Sequence, residues 1–494
     1  MLISGLALGA VLGFVMQRGR FCVTGFLRDI FTQRSWRGFV ALLIVISVHA
    51  IGLAALTSAG VITPEYKELA PLAVIVGGVI FGLGIVLAGG CASGTWYRSG
   101  EGLIGSWIAL VFYALSAAAM KTGFLGGLQN SLKDRTVGLT SIHASLGISI
   151  WPLVIALSAV TAYFAVRYLR EEFSGPRPVT LAPRKSGLAH ILAEKPWHVY
   201  ATAAIVGVLG VIAWPLSVAT GRNDGLGITT PSSNLANYVV TGDTERFDWG
   251  VLLVLGILVG SFIAAKASGE FRLRVPDATQ GARSVVGGIF MGVGAAWAGG
   301  CTVGNGMVQT SLFSYQGWLA LASIAAGVAI AAKLWLKPSA PSLNDVPSTP
   351  STTNDTAVSA TAPVTSAATS PVSLPGSEGA GVAGTEASPL AGAFTVAPVA
   401  LLDRSVVKQE DGKLKPLGDG RYELDTVGAV CPFPLIEAKD AINKIEVGEE
   451  LVIPFDCTQA TDAIPRWAAK DGHEVTNFEQ TGEAGWTISV RRGK

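Results

Sequence analysis

The sequence predicts a polytopic α-helical membrane protein of about nine spans, built from inverted repeats with short non-spanning helices, followed by a small α/β two-layer sandwich. Three observations predict it. Half of the 494 residues are hydrophobic and only 14% are charged, with a mean hydropathy of +0.48, whereas soluble domains carry about 25% charged residues. The stretch GGVIFGLGIVLAGGC at 77–91 returns as GGIFMGVGAAWAGGC at 287–301, identical at eight of fifteen positions, including every glycine and the final cysteine. Residues 403–494 then switch to a strand-and-turn pattern around the sequence Cys-Pro-Phe-Pro.

Nine runs approach the ~20 apolar residues that a spanning helix needs: 2–17, 38–61, 69–91, 103–120, 146–166, 198–220, 249–265, 284–301 and 317–336. The first lacks a basic flank and leads into RGRFC rather than a small-residue cleavage site, so it is expected to stay as a membrane helix. Loops 18–37, 92–102, 167–197, 266–283 and 333–337 hold 18 basic residues; 62–68, 121–145, 221–248 and 302–316 hold 6. The positive-inside rule therefore puts the N-terminus outside and the C-terminus in the cytoplasm. The two glycine motifs then run in opposite directions, as inverted repeats do, with a substrate site at their interface near the midplane.

Stretches 18–31, 92–100, 122–140 and 302–316 are expected to contain short non-spanning helices. Non-helical backbone at membrane depth must be buried in protein or line a wet cavity, so a conduit is expected there. Gly89, Gly90, Gly299 and Gly300 allow backbone to approach a solute, and Cys91 and Cys301 close the two motifs. Cys22 follows Arg18-Gly19-Arg20-Phe21 and finds no counterpart in the second half, where the matching region is taken as KASGEFRLR. Arg20 is placed to hold an anion near that thiol or to anchor the chain at the basic face. Asn305 and Gln309 are further polar candidates, while His49 reads as a packing residue. Five cysteines, an odd number without zinc-type spacing, suggest neither a disulfide framework nor a metal site. Residues 1–337 carry 24 Lys and Arg against 14 Asp and Glu, and the remainder 12 against 21; the basic membrane part suits an anionic solute. No cofactor and no nucleic-acid partner is expected.

Residues 338–402 are rich in Pro, Ser, Thr, Ala and Gly and are expected to form a flexible tether between a membrane domain (1–337) and a small domain (403–494). In the latter, a strand near 421–426 leads through Gly428 to Cys431, and Pro432 opens a helix, so orphan N–H groups and the helix dipole favour a thiolate. Strands at 450–456, 473–478 and 485–491 and a helix at 459–471 complete a β-α-β-α-β-β unit. Cys457, just past a strand in FDCTQATDAIP, is expected to lack such a dipole.

The stretch LDTVGAVCPFPLIEAKDAI resembles the TusA sulfur-carrier family, and FDCTQATDAIP resembles its YeeD-type branch. FCVTGF at 21–26 and the two Gly-Gly-Cys motifs resemble the YeeE/YedE family of sulfur-compound transporters. The resemblance implies thiosulfate uptake through the bacterial cell inner membrane. It makes Cys22, Cys91 and Cys301 solute-contacting residues and Cys431 the reactive residue, with Cys457 a secondary candidate. It also implies sulfurtransferase or thiosulfate-processing activity in the C-terminal domain, and cytoplasmic sulfur-relay or cysteine-synthesis enzymes as partners. The alternatives are a membrane-bound sulfurtransferase relaying persulfide, or a sulfur-anion sensor.

Overall fold

The computed structural model describes residues 2–336 and 414–493; the tether expected at 338–402 and the boundaries at 337 and 403 lie outside them. The first half contains α1 (Ile3–Arg18), α2 (Val23–Thr32), α3 (Arg37–Ser58), α4 (Pro71–Leu87), α5 (Ala92–Gly100), α6 (Ile104–Lys121), α7 (Gly126–Lys133) and α8 (Ile142–Leu146). After α9 (Trp151–Ser174) and α10 (Gly187–Ala193) come α11 (Val199–Val218), α12 (Thr229–Thr241), α13 (Trp249–Ser268), α14 (Ala278–Ala298), a π-helical turn at Gly304–Gln309 and α15 (Tyr315–Trp335). Each of the nine apolar runs thus coincides with a long helix. Among the described residues, eight segments are long and apolar enough to cross a membrane, with α1 joined to α2 and α4 to α5. The helix outside that set is α14, whose start, Ala-Thr-Gln-Gly-Ala-Arg-Ser, dilutes its apolar content.

Glycines set the helix spacing. A Cβ added to Gly77 would lie 2.5 Å from Ala298 N, one on Gly84 2.7 Å from Met291 N, and one on Gly294 2.5 Å from Phe81 N. Contact residues rise along α4 as they fall along α14, so the motif helices are antiparallel and touch backbone to backbone, the packing that small residues permit in a bilayer. The opposite glycine faces are also equivalent: Gly78 and Gly82 meet Ala320 to Val328 on α15, and Gly288 and Gly292 meet Ala109 to Ala117 on α6. Likewise α1 packs on α13, α11 on α3, α2 on α15 and α12 on α6. Exchanging the halves α1–α6 and α11–α15 maps each pair onto its mate, which is an inverted repeat.

That exchange corrects the reading of Cys22. Its segment matches not KASGEFRLR, which follows α13, but the approach to α12, where Ile228 stands at the N-cap position that Cys22 holds before α2. The polarity of 221–248 hid this helix from the sequence pattern.

In the C-terminal domain β1 (Leu414–Gly418), β2 (Arg421–Leu424), β3 (Glu450–Phe455), β4 (Glu474–Gly482) and β5 (Gly485–Arg491) form one sheet in the order β1-β2-β3-β5-β4. Only β2 and β3 are parallel. Alternating residues of β3, Leu451, Ile453 and Phe455, are buried with Ile488 and Val490 of β5. Against them lie Leu435, Ala438 and Ile442 of α16 (Phe433–Ile442) and Ile464, Trp467 and Ala468 of α17 (Ala460–Asp471). The result is the expected two-layer sandwich, with β1 as an added edge strand.

Candidate functional site

Cys22 and Cys91 occupy the same local position. Each has extended backbone (φ −138°, ψ 109° and φ −76°, ψ 179°) and caps the N-terminus of a short helix, α2 and α5. The first N–H groups of those helices have no intrahelical acceptor and carry the positive end of the dipole. Both thiols are buried and flank the same glycine, Gly94. They converge over Gly94, where an added Cβ would lie 3.4 Å from Cys91 Sγ and 3.7 Å from Cys22 Sγ. Arg98 reaches into the same place: Nη2 is 3.9 Å from Cys22 Sγ and Nη1 donates to Gly89 O. Ser93 Oγ lies 3.5 Å from Cys91 Sγ.

The second motif is built differently. Gly89 and Gly299 both end their helices with positive φ, 71° and 80°, which glycine adopts without cost. Where Arg98 holds the first turn, Asn305 holds the second. Its Nδ2 donates to Ala298 O at 2.9 Å and Gly300 O at 3.0 Å, and its Oδ1 accepts from Gln316 Nε2 at 2.9 Å. Asn305 is thus committed to shaping the Cys301 turn. Gln309 ends the π-helical turn. His49 Nδ1 lies 3.2 Å from Ser311 Oγ. Tyr113 of α6 donates to Thr229 Oγ1 of α12 at 2.8 Å.

On the face formed by the basic loops, Glu270 is the hub of a buried charge cluster: Gln17 Nε2 lies 2.6 Å, Arg18 3.3 Å and Arg20 3.1 Å from its carboxylate. Burial opposes its ionisation, but Arg20 and Arg18 outweigh that and hold the carboxyl below its usual value. Burial pushes Glu101 up to about 7, against the pull of Arg274. The C-terminal domain rests on this face. Arg20 donates to Thr461, Arg274 to Asp456 O, and Arg28 to Cys431 O at 3.2 Å. Arg466 lies 2.8 Å from Glu172, and Ala484 N donates to Gly269 O at 3.0 Å. The intervening cleft, about 1260 Å³, is lined by Arg20, Cys22, Arg28, Glu270, Cys431 and Cys457 among others.

Parallel pairing of β2 and β3 brings their carboxyl ends side by side, and each leads through a cysteine into a helix. Cys431 and Cys457 are joined as a disulfide with Cα atoms 6.1 Å apart, within the span a disulfide bridges. This corrects the expectation of no disulfide: spacing of 26 residues and an odd total concealed a pair made by strand adjacency. It also corrects the contrast between the two cysteines. Cys457 lies three residues before α17 and its carbonyl accepts Ala460 N–H at 3.0 Å, so both cysteines stand near helix N-termini. Pro432 is the N-cap of α16 rather than its first residue, a shift within ordinary boundary scatter.

The structure places Cys22, Arg20, Cys431 and Cys457 around one cleft, with Cys91 next to Cys22 at Gly94 and Cys301 with its glycines at the second motif. Arg98, Tyr113 and Thr229 escaped the sequence reading. Arg98 looks like one more basic-loop residue, and Tyr113 like an apolar-span aromatic.

Comparison with known proteins agrees with this division. The sulphur transport family model matches residues 18–330, and the sulfurtransferase TusA model matches 422–492. The chain is 51% identical over 328 residues to the thiosulfate transporter TsuA of Escherichia coli, covering 66% of this chain and 93% of that protein. It is 32% identical over 337 residues to the TsuA of Spirochaeta thermophila, covering 65% of this chain and 94% of the relative. The C-terminal domain is 59% identical over 70 residues to the putative sulfur carrier protein TsuB of E. coli, covering 14% of this chain and 93% of the relative. A multi-pass helical membrane part and a TusA domain on one chain make this protein a member of the sulphur transport family.

Proposed function

We propose that the protein takes up thiosulfate through the bacterial inner membrane along Cys301, Cys91 and Cys22 and delivers it to Cys431. Residues 1–337 act as the transporter, 338–402 as the tether and 403–494 as the sulfur carrier on the cytoplasmic side, with the N-terminus outside. The observation that carries this reading is that Cys22 and Cys91 cap two helix N-termini and flank Gly94, with Cys22 lining the same cleft as Cys431 and Cys457. Two relatives matched over more than nine-tenths of their length are named thiosulfate transporters.

The chemistry suits the ion. Dehydrating a dianion is costly unless donors replace its water continuously. Thiols are weak donors that meet the sulfur end without trapping it, while helix N-termini and glycine N–H groups favour the oxyanion end. Serial weak sites permit exit as well as entry. In the cleft, the Cys431 thiolate attacks the outer sulfur; the bond to the sulfonate sulfur breaks, sulfite leaves with its electron pair, and Cys431 carries the persulfide. With Cys457 bonded to it, Cys431 has no thiolate to offer, so a cytoplasmic dithiol reductant joins the sulfur-relay and cysteine-synthesis enzymes as a partner.

The placement of Cys22 and Cys91 on either side of Gly94 also favours a second reading, covalent relay of sulfane sulfur. Mass spectrometry finding labelled persulfide on Cys91 or Cys301 would support it. The transport reading is tested in cells lacking other thiosulfate uptake, grown on thiosulfate as sole sulfur source. The full chain is expected to restore growth and residues 1–337 alone to restore uptake with slower growth; failure of the full, membrane-inserted chain contradicts the reading.

A further inference from the structure

Beside two of the membrane thiols stand buried hydroxyls with no hydrogen-bond partner among the described residues: Thr24, two residues after Cys22, and Thr302, next to Cys301. Thr24 is 2% exposed and Thr302 fully buried. A hydroxyl taken out of water without a partner forfeits its solvation, which is why native proteins nearly always satisfy such groups. Neighbouring hydroxyls here obey that rule. Thr95 donates to Ala92 O at 2.8 Å, Ser99 to Thr95 O at 2.7 Å, and Thr310 to Gly306 O and Met307 O at 3.0 Å. Thr24 and Thr302 make no such bond back to their own backbone.

Their positions point to a solute. Thr24 lies in the first turn of α2, whose leading N–H groups lack intrahelical acceptors. The residue lines a cavity of about 20 Å³ with Arg28, Gly89 and Cys431 of the C-terminal domain. Thr302 follows the turn that Asn305 holds in place. At the station between them, the Ser93 hydroxyl is already engaged with Cys91 Sγ at 3.5 Å. Each membrane thiol thus has a hydroxyl within two residues, and the two at the ends of the series are free to donate.

We propose that Thr24 and Thr302 are ligands of the transported anion, donating to its oxygens while the adjacent thiols meet its terminal sulfur. This rests on the thiosulfate reading and deepens it: a thiol and a hydroxyl side by side match an anion with a sulfur end and an oxygen end. Sulfate, all oxygen, would satisfy only the hydroxyls.

The test replaces each threonine by valine, of the same shape without the donor, and by serine, which keeps it. In proteoliposomes holding the full chain, Thr24→Val and Thr302→Val are expected to raise the KM for labelled thiosulfate about tenfold to a hundredfold, the loss typical of a hydrogen bond to a charged group. The serine variants should stay near wild type. The valine variants should also melt at the same temperature as wild type or higher, since an unsatisfied buried hydroxyl has been removed. A threonine that merely packs would give the reverse: unchanged KM in valine, or a lowered melting temperature in serine with loss of uptake. Thiosulfate binding to the purified full chain is measured alongside. If wild type binds but does not transport, the transport reading fails and the dissociation constants of the same variants decide the ligand assignment. If wild type binds no thiosulfate, both are overturned.

Discussion

A single hydrogen-bonding atom at Cys91 separates two outcomes. Its Sγ lies 3.5 Å from Ser93 Oγ, so serine preserves a donor of similar size at the same helix cap and alanine does not. Cys91→Ser is expected to weaken thiosulfate uptake less than Cys91→Ala, and Cys301 variants to follow the same order; wild-type rates in both alanine variants would remove these thiols from the path. The cysteines were legible in the sequence because duplication marked them. Arg98 was not, because the contacts that single it out, Gly89 O and Cys22 Sγ, depend on the fold of a nine-residue helix.

The helices are held by glycine. A Cβ on Gly84 would lie 2.7 Å from Met291 N, so Gly84→Ala must push α4 and α14 apart, an overpacking that costs about 1–3 kcal/mol. Gly127 in α7 has nothing within 4 Å of an added Cβ, and Gly127→Ala is expected to stabilise by up to about 1 kcal/mol through helix propensity. Thermal melts of the two variants should move in opposite directions; a similar drop in both would deny the glycine contacts their role. At this scale the repeat was legible from GGVIFGLGIVLAGGC and its copy, and the antiparallel contact followed from charge counting. The α2–α12 equivalence was not legible, because Cys22 became Ile228 and the approach to α12 shares too little sequence with RGRFC to align by eye. The disulfide between Cys431 and Cys457 stayed hidden because only the order of strands in the sheet brings them together.

For the whole molecule, the two parts meet through charge. Arg466 reaches Glu172 and Asp462 at 2.8 Å each, and Glu172 lies 3.2 Å from Arg37. Arg466→Glu is expected to loosen the C-terminal domain, seen as faster proteolysis of that domain and less persulfide on Cys431, with uptake retained; Glu172→Arg in the same chain should restore docking in part. Glu101 gives the face a pH dependence. Burial raises its folded pKa to about 7, above the usual carboxylate value of about 4.5, so its contribution to stability is full below about pH 4.5 and is lost as pH rises toward 7, a swing of roughly 3 kcal/mol. Glu101→Gln should flatten the melting temperature across that window, and an unchanged slope would place the titration elsewhere. Glu270, depressed instead, contributes stability above its usual carboxylate range that is lost as pH falls below it. The most direct measurement of the central claim follows labelled thiosulfate into sealed proteoliposomes while assaying persulfide on Cys431 under a dithiol reductant. Wild type should accumulate label and form the persulfide, Cys431→Ser should accumulate label without it, and Cys91→Ala should do neither. No accumulation by a folded, inserted wild type, or full accumulation by Cys91→Ala, would contradict the account.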